Sequence, residues 1–174
     1  EIDIAEKLGV SRTPVKASLI ELSKEGIIEL IPRRGAFVKE FSIEDMKKIR
    51  QVRAVLEGLA GVLACDHISQ EIVKRLEKLI IDYDESASAL LNAADRDKKQ
   101  EFEGSITNID IQFHNQILAA SQNEYLINLA SQKNLQFQCF INRSYDDMNF
   151  ERVSSDHREI INALGNREKQ KTET

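Results

Sequence analysis

The chain has 174 residues, of which 41% are hydrophobic, 30% are charged and 6% are aromatic. Seven Gly and two Pro are too few for the many tight turns of a β sandwich or barrel, so the composition favours a mainly α fold. No apolar run approaches the roughly 18 residues of a membrane span, and two Cys cannot make a disulfide framework. We therefore expect a cytoplasmic protein with no membrane contact.

The charge of the chain is unevenly spread along the sequence. The formal net charge of −5 disfavours nucleic acid as a partner of the chain as a whole. Residues 10–39, however, hold six bases against three acids. Because phosphate meets local charge rather than total charge, this segment is a candidate for contact with DNA.

The first forty residues predict two short helices followed by a β-hairpin. Gly9 ends the first helix, and Ser11 is the predicted N-cap of the second. The apolar face of the second helix recurs at helical spacing, at Val15, Leu19 and Leu22. The β-prone runs 27–31 and 36–38 flank a tight turn at 32–35, which is typical of a hairpin.

The second of these helices begins with hydroxyl and cationic side chains. A DNA-recognition helix presents its N-terminal residues to base edges, and its backbone N–H groups favour phosphate. An Arg there can pair with guanine, and the small hairpin tip can approach the DNA backbone or enter a minor groove. An ordinary capped helix with solvated cations is the alternative. The candidate DNA-binding residues are Ser11, Arg12, Thr13, Lys16, Arg33, Arg34 and Gly35.

From Phe41 onward the sequence changes to long helical patterns. A capping box at Ser42 and Asp45 predicts the start of a helix that runs to about residue 66, and Ser69 predicts the cap of the next. The polar residues 92–104 predict a loop or the start of a helix. Later helices are expected at about 106–120, 125–145 and 153–164, and the wholly polar residues 166–174 are typical of the first turns of another.

The placement of the three His residues is informative. Asp110 and His114 are four residues apart, so a helix puts them on one face, where they could bind a divalent metal or form a surface pair. His157 begins a later helix, and taken alone it is a capping or surface residue as readily as a ligand. His67, near a helix end, is expected to be structural.

The N-terminal motif closely resembles the winged helix-turn-helix of GntR-family bacterial transcription regulators. The resemblance is carried, in order, by Gly9–Lys16 (GVSRTPVK), Glu25–Gly26 and Arg33–Val38 (RRGAFV). Lys16 stands where the family usually has Arg, which predicts a point-charge contact with phosphate. The resemblance implies a DNA-binding domain at 1–40 whose first helix lies ahead of Glu1.

The rest of the chain is similar to the all-helical FCD effector domain of the FadR branch of that family. The similarity is carried by Arg53–Glu57, Asp110–His114, Ala120–Asn123 and His157–Leu164. It implies a domain at 41–174 with an incomplete final helix. It also implies that Asp110, His114 and His157 ligate a divalent cation, with Zn²⁺ favoured, while the fourth ligand of the family has no counterpart.

The resemblance implies a regulator that is not an enzyme. We expect a homodimer on double-stranded operator DNA, and a small carboxylate effector bound by the metal and by Arg53. For Arg53, a salt bridge to Glu57 is the alternative. Two rivals remain open at this point: a metal-dependent hydrolase that uses Asp110, His114 and His157, and a regulator whose metal is purely structural.

Overall fold

A computed structural model describes residues 1–40, 42–130 and 148–172. The chain divides into two compact units, Glu1–Lys47 and Lys48–Thr174. The elements in chain order are the helices α1 (Ile2–Leu8) and α2 (Arg12–Lys24), the strands β1 (Ile28–Ile31) and β2 (Gly35–Val38), and the helices α3 (Ile43–His67), α4 (Gln70–Asn92), α5 (Arg96–Ala120) and α6 (Phe150–Gly165). A 3-10 turn follows at Lys169–Lys171.

The N-terminal unit has the predicted helix, turn, helix and hairpin. Gly9 ends α1 in the left-handed conformation, with a φ of 65°. Ser11 occupies the N-cap position of α2, although its hydroxyl accepts no hydrogen bond from the helix. Strands β1 and β2 pair antiparallel, with Ile28 opposite Val38. The small core of this unit is formed by Ala5, Val15, Leu19, Ile27 and Ile28.

Polar side chains at the helix starts explain where the long helices begin. Ser42 and Asp45 form the predicted capping box: the Ser42 hydroxyl accepts a hydrogen bond from Asp45 N, and Ser42 N donates to Asp45 Oδ2, each over 3.1 Å. The Ser69 hydroxyl accepts from Ile72 N over 3.2 Å, as expected. Two caps were not predicted: Asp95 starts α5 and Asn149 starts α6.

These two caps correct the predicted helix boundaries. Residues 96–104 are helical, so of the two alternatives for the polar stretch the start of a helix is correct, and α5 begins about ten residues before the predicted 106. Helix α6 begins at Phe150, three residues before the predicted start, because the Asn149 side chain accepts a hydrogen bond from Arg152 N.

The chain after α6 does not continue as a regular helix within the described residues. Arg167 has a φ of 58°, and one 3-10 turn follows instead of the predicted first turns of a helix. Residues 124–130 are helical, and the remainder of the helix expected at 125–145 lies outside the described residues.

The core of the C-terminal unit is aliphatic and lies between the helices. It contains Ala60, Ala64, Cys65, Leu76, Ile80, Phe113, Ile117, Leu118, Ile161 and Leu164, among others. Val52, Leu56, Leu59 and Leu63 recur at helical spacing along α3. Leu56 and Leu63 pack against the core, whereas Val52 and Leu59 are exposed. None of the described helices combines the length and apolar character that a membrane span requires.

Candidate DNA-binding surface and buried Asp–His–His site

The predicted DNA-binding residues all lie on the surface of the N-terminal unit. Arg12, Thr13 and Lys16 are exposed in the first two turns of α2, and Ser11 is exposed just before it. Since the Ser11 hydroxyl does not cap the helix, it can hydrogen-bond to another molecule. The first turn of α2 holds no acidic residue, so its N-terminus has no local repulsion toward phosphate.

The hairpin tip presents two cations on a backbone that requires glycine. Arg34 N donates to Ile31 O over 3.0 Å, which closes the turn. Gly35 has a φ of 110°, where a side chain would be strained, and a Cβ there would meet open space. The Arg34 guanidinium lies 5.7 Å from the centre of the Phe37 ring, and Arg33, Arg34 and Gly35 are exposed.

The structure brings Asp110, His114 and His157 together in the C-terminal unit. Asp110 and His114 are on α5, and His157 reaches them from α6. Nε2 of His114 lies 3.2 Å from Nε2 of His157, and Asp110 Oδ1 lies 3.7 Å from the first and 3.6 Å from the second. A point equidistant from these three atoms is about 2.0 Å from each, the length of a Zn–N or Zn–O bond.

Glu57 on α3 positions one of the imidazoles. Its Oε2 lies 3.4 Å from Nδ1 of His114, so that Nε2 of the same ring faces Asp110 and His157. Arg53, one turn earlier, donates from Nε and Nη2 to Glu57 Oε1 over 2.9 and 2.5 Å. A carboxylate behind a histidine in this way fixes the tautomer and orientation of a metal-ligating ring.

Near neutral pH, Asp110 is ionised and His157 is neutral, and these are the forms of the two side chains that ligate a cation. Burial, with the charge of His114, lowers the pKa of His157 to about 4. Burial would raise the pKa of Asp110, but the charge and hydrogen bond of His114, together with the charges of His157 and Arg53, outweigh it and lower that pKa to about 2. Burial also lowers the pKa of His114, but the Glu57 and Asp110 carboxylates outweigh it and raise it. Near neutral pH, cation binding therefore displaces a proton chiefly from His114.

The surroundings of His157 fit a neutral ligand. The ring packs against Phe113, with centroids 4.2 Å apart, and meets the edge of Tyr83 at 6.2 Å. Its Nδ1 is buried and makes no hydrogen bond to any described residue. One carboxylate and two imidazoles with converging lone pairs are a donor set suited to Zn²⁺ and similar divalent cations. The residues present therefore fit the divalent cation that the family resemblance implies.

A cavity of about 370 Å³ lies beside this cluster. Its polar lining includes all three candidate ligands, together with Arg50, Arg53 and Glu57. Tyr83, Ile106, Ile117, Leu118, Val153 and Ile160 supply most of its apolar lining. A mostly apolar cavity with a few converging polar groups is typical of a small-molecule site.

Arg53 both lines the cavity and forms the predicted ion pair with Glu57, so the two roles considered for it are compatible. Sequence reasoning missed Glu57 and Tyr83 as members of the site. The spacing of four residues from Arg53 is the one sequence feature that could have indicated Glu57 as a member of the site. No sequence feature indicates Tyr83. His67 is exposed at the end of α3 and is not part of the cluster.

Two family models match this chain. The FCD domain matches residues 48–174, and the bacterial regulatory proteins of the gntR family match residues 1–38. The chain belongs to the GntR family and carries an FCD domain. The predicted family and fold class, a winged helix-turn-helix followed by a helical FCD domain, are therefore confirmed.

The curated relatives of this GntR-family chain are regulators of transcription. An uncharacterized HTH-type transcriptional regulator YdhC of Bacillus subtilis is 27% identical over 98% of this chain and 72% of its own length. The Nta operon transcriptional regulator of Aminobacter aminovorans is 28% identical over 73% of this chain and 55% of its own length. A probable D-xylose utilization operon transcriptional repressor of Paenarthrobacter nicotinovorans is 25% identical over 94% of this chain and 67% of its own length.

Solved structures share the fold of this GntR-family chain. Escherichia coli McbR/YncC has a TM-score of 0.81 at 21% identity, over 98% of this chain and 77% of the other. A GntR regulator from Rhodococcus has a TM-score of 0.73 at 20% identity, over 99% and 78%. The matched family and the curated relatives are transcription regulators, so the hydrolase considered from the sequence is not supported.

Proposed function

We propose that the protein is a ligand-responsive regulator that binds operator DNA as a two-fold dimer and senses a small carboxylate through a divalent cation. The observation that carries the sensing role is the convergence of Asp110, His114 and His157 on the wall of a cavity. The exposed cations of α2 and the hairpin tip support the DNA-binding role. Zn²⁺ is the cation that this donor set suits best.

In the N-terminal unit, Arg12 reads a base edge while Lys16, Arg33 and Arg34 hold the DNA backbone. Arg12 is the first residue of α2, where a recognition helix meets the major groove. Ser11, Thr13 and the backbone at Gly35 add hydrogen bonds to phosphate. Since one winged helix covers only a short half-site, two copies on an inverted repeat supply the affinity that an operator requires.

In the C-terminal unit, Asp110, His114 and His157 hold the cation, and Glu57 keeps the His114 ring in position. The cation, when bound, acts as a Lewis acid to which a carboxylate oxygen of the effector coordinates. Arg53 contributes a positive charge to the same wall, and its guanidinium is held in place by Glu57. The apolar side of the cavity excludes water and accommodates a short carbon skeleton.

The test measures operator affinity of the full-length protein by mobility shift, with and without Zn²⁺ and a panel of acetate, lactate, malate and citrate. We expect at least one acid to change the operator affinity, and only in the Zn²⁺-loaded protein. If Zn²⁺ raises the melting temperature of the protein but no acid of the panel changes its operator affinity, the metal is structural and the sensing role is wrong.

A further inference from the structure

Gly61 on α3 allows the chain that follows α6 to pack closely against this helix. A Cβ on Gly61 would lie 2.9 Å from Cβ of Thr172 and 3.0 Å from its carbonyl oxygen, which is closer than side chains pack. Thr172 is buried at this contact, with only 6% of its surface exposed. Glycine at position 61 therefore permits a close approach of two backbones that any larger residue would prevent.

The segment 166–172, which we call the strap, meets α3 at a second place. Lys169 Nζ donates a hydrogen bond to Asp66 Oδ2 over 2.7 Å. The Thr172 hydroxyl donates to Lys169 O over 2.8 Å, which joins the two places into one turn. Because the ion pair is half-exposed and such pairs contribute little, the buried contact at Gly61 decides where the strap lies.

The strap and α3 meet at the wall of the cavity beside the Asp–His–His cluster. Gly61 and Thr172 both line this cavity, together with the three candidate ligands. Gly61 lies four residues beyond Glu57, which is about 6 Å along the helix axis. Since Glu57 contacts the His114 ring, a small acid bound at the cluster has this wall within the length of a short carbon skeleton.

We propose that Gly61 and Thr172 set the size of the acid that the cavity accepts, because together they fix the position of one wall. The inference rests on the proposed function, in which the cavity binds a small carboxylate. The Thr172 side chain occupies room that a larger acid needs, and Gly61 lets it stay there, since a side chain at position 61 would push it outward. One methylene more or less in an apolar pocket changes binding about 10–200-fold, so a wall of this kind selects by size.

The first experiment removes the Thr172 side chain from the wall. Operator affinity of the Zn²⁺-loaded full-length protein is titrated with acetate, lactate, malate and citrate, for wild type and for Thr172→Gly. The highest concentration tested serves as the limit for an acid without effect. The ratio of the half-effective concentrations of acetate and citrate should rise at least about 10-fold in the variant, because citrate gains room and acetate loses packing. An unchanged ratio overturns the inference.

The second experiment moves a methyl group across the contact. Gly61→Ala alone should displace Thr172 and raise the same ratio. Combined with Thr172→Gly, the new methyl group takes the room that the threonine side chain left, and only the 3.0 Å contact with the carbonyl oxygen remains. The ratio should then return to near the wild-type value. A combined variant whose ratio exceeds that of both single variants shows that the two residues act independently and contradicts the inference.

Gly104→Ala is the matched control for the added methyl group. Gly104 is exposed on α5, and a Cβ there would meet open space, so the ratio should stay at the wild-type value. Hydrogen exchange of the strap should be faster in Gly61→Ala than in Gly104→Ala, and equal exchange in the two variants overturns the inference. Thr172→Gly leaves α3 intact, so it still tests the inference if Gly61→Ala does not fold.

The response of the wild-type protein separates this inference from the proposed function. If no acid of the panel changes the operator affinity of the wild type, the sensing role is wrong and the inference fails with it. If the wild type responds but Thr172→Gly shifts every acid by the same factor, the proposed function stands and the inference alone is wrong.

Discussion

The two units of this protein carry their functional residues in opposite ways. In the N-terminal unit the candidate DNA-binding residues come from two short stretches, 11–16 and 33–35, and all are exposed. In the C-terminal unit the candidate ligands come from residues 110–157 on two helices, with Glu57 from a third, and they are largely buried. An exposed basic surface suits a polyanion whose affinity depends on salt, whereas a buried cluster suits one small ligand whose affinity depends on protonation.

The largest expected effect comes from removing a ligand of the buried cluster. His157→Ala should lower Zn²⁺ affinity at least about 100-fold, because it leaves the cation with one imidazole and one carboxylate. Competition with a chromophoric chelator measures this. His67→Ala is the control, since His67 is an exposed histidine outside the cluster, and equal Zn²⁺ affinities of the two variants would rule out the site.

On the exposed surface, Arg12→Ala should cost about 1–3 kcal/mol of operator binding and relax specificity at one base position. Binding titrations against operator variants measure both effects. Lys24→Ala, at the far end of α2 and paired with Glu21, should change neither. An Arg12→Ala protein with wild-type affinity would contradict the assignment of α2 as the recognition helix.

Glu57→Gln tests whether the second carboxylate acts through His114. The substitution keeps the size of the side chain but removes the charge that holds the His114 ring, so Zn²⁺ affinity should fall about 10–100-fold. Glu71→Gln, on an exposed turn of α4, is the matched control. No change in Zn²⁺ affinity for Glu57→Gln would show that the 3.4 Å contact does not orient a ligand.

The Zn²⁺ affinity of the C-terminal unit should depend on pH. The pKa of His114 is raised and that of His157 is lowered to about 4, so Zn²⁺ displaces one proton between the two values. Affinity should therefore fall about tenfold per pH unit below the pKa of His114, and more steeply below about pH 4 if the fold persists there. Calorimetry in buffers of different ionisation enthalpy counts the protons, and a count of zero at pH 5 would contradict this.

The smallest expected effect is that of Lys16→Ala. A phosphate contact carries no sequence information, so binding should weaken similarly on all DNA sequences, and the salt slope of log K should fall by about one. Titrations at several salt concentrations measure the slope. Loss of affinity on the operator alone would show that Lys16 reads a base instead.

Sequence alone was enough for the N-terminal unit because its signals are local. Gly9, the N-cap position at Ser11 and the tight turn at 32–35 each act on neighbouring backbone, and the structure has the expected elements around them. The same local reasoning found the Ser42 cap near the end of the N-terminal unit and the Ser69 cap in the C-terminal unit. It missed the Asn149 cap because an Asn also favours many turns.

The buried cluster could not be predicted from helical periodicity alone, because periodicity does not show which helices contact each other. Helical spacing put Asp110 and His114 on one face, but only the family resemblance joined them to His157 across 43 residues. The outward face of α3 shows the same limit. The helical spacing of Val52 and Leu59 predicts that they face the core. Only the packing of α3 in the structure shows that both are exposed.

The central claim is that the buried cluster of the C-terminal unit controls operator binding by the N-terminal unit. The most direct measurement is the operator dissociation constant of the Zn²⁺-loaded full-length protein across the carboxylate panel, for wild type and for His157→Ala. We predict that at least one acid changes the wild-type value about 5-fold or more and leaves the variant unchanged. An equal change in both proteins would contradict the claim.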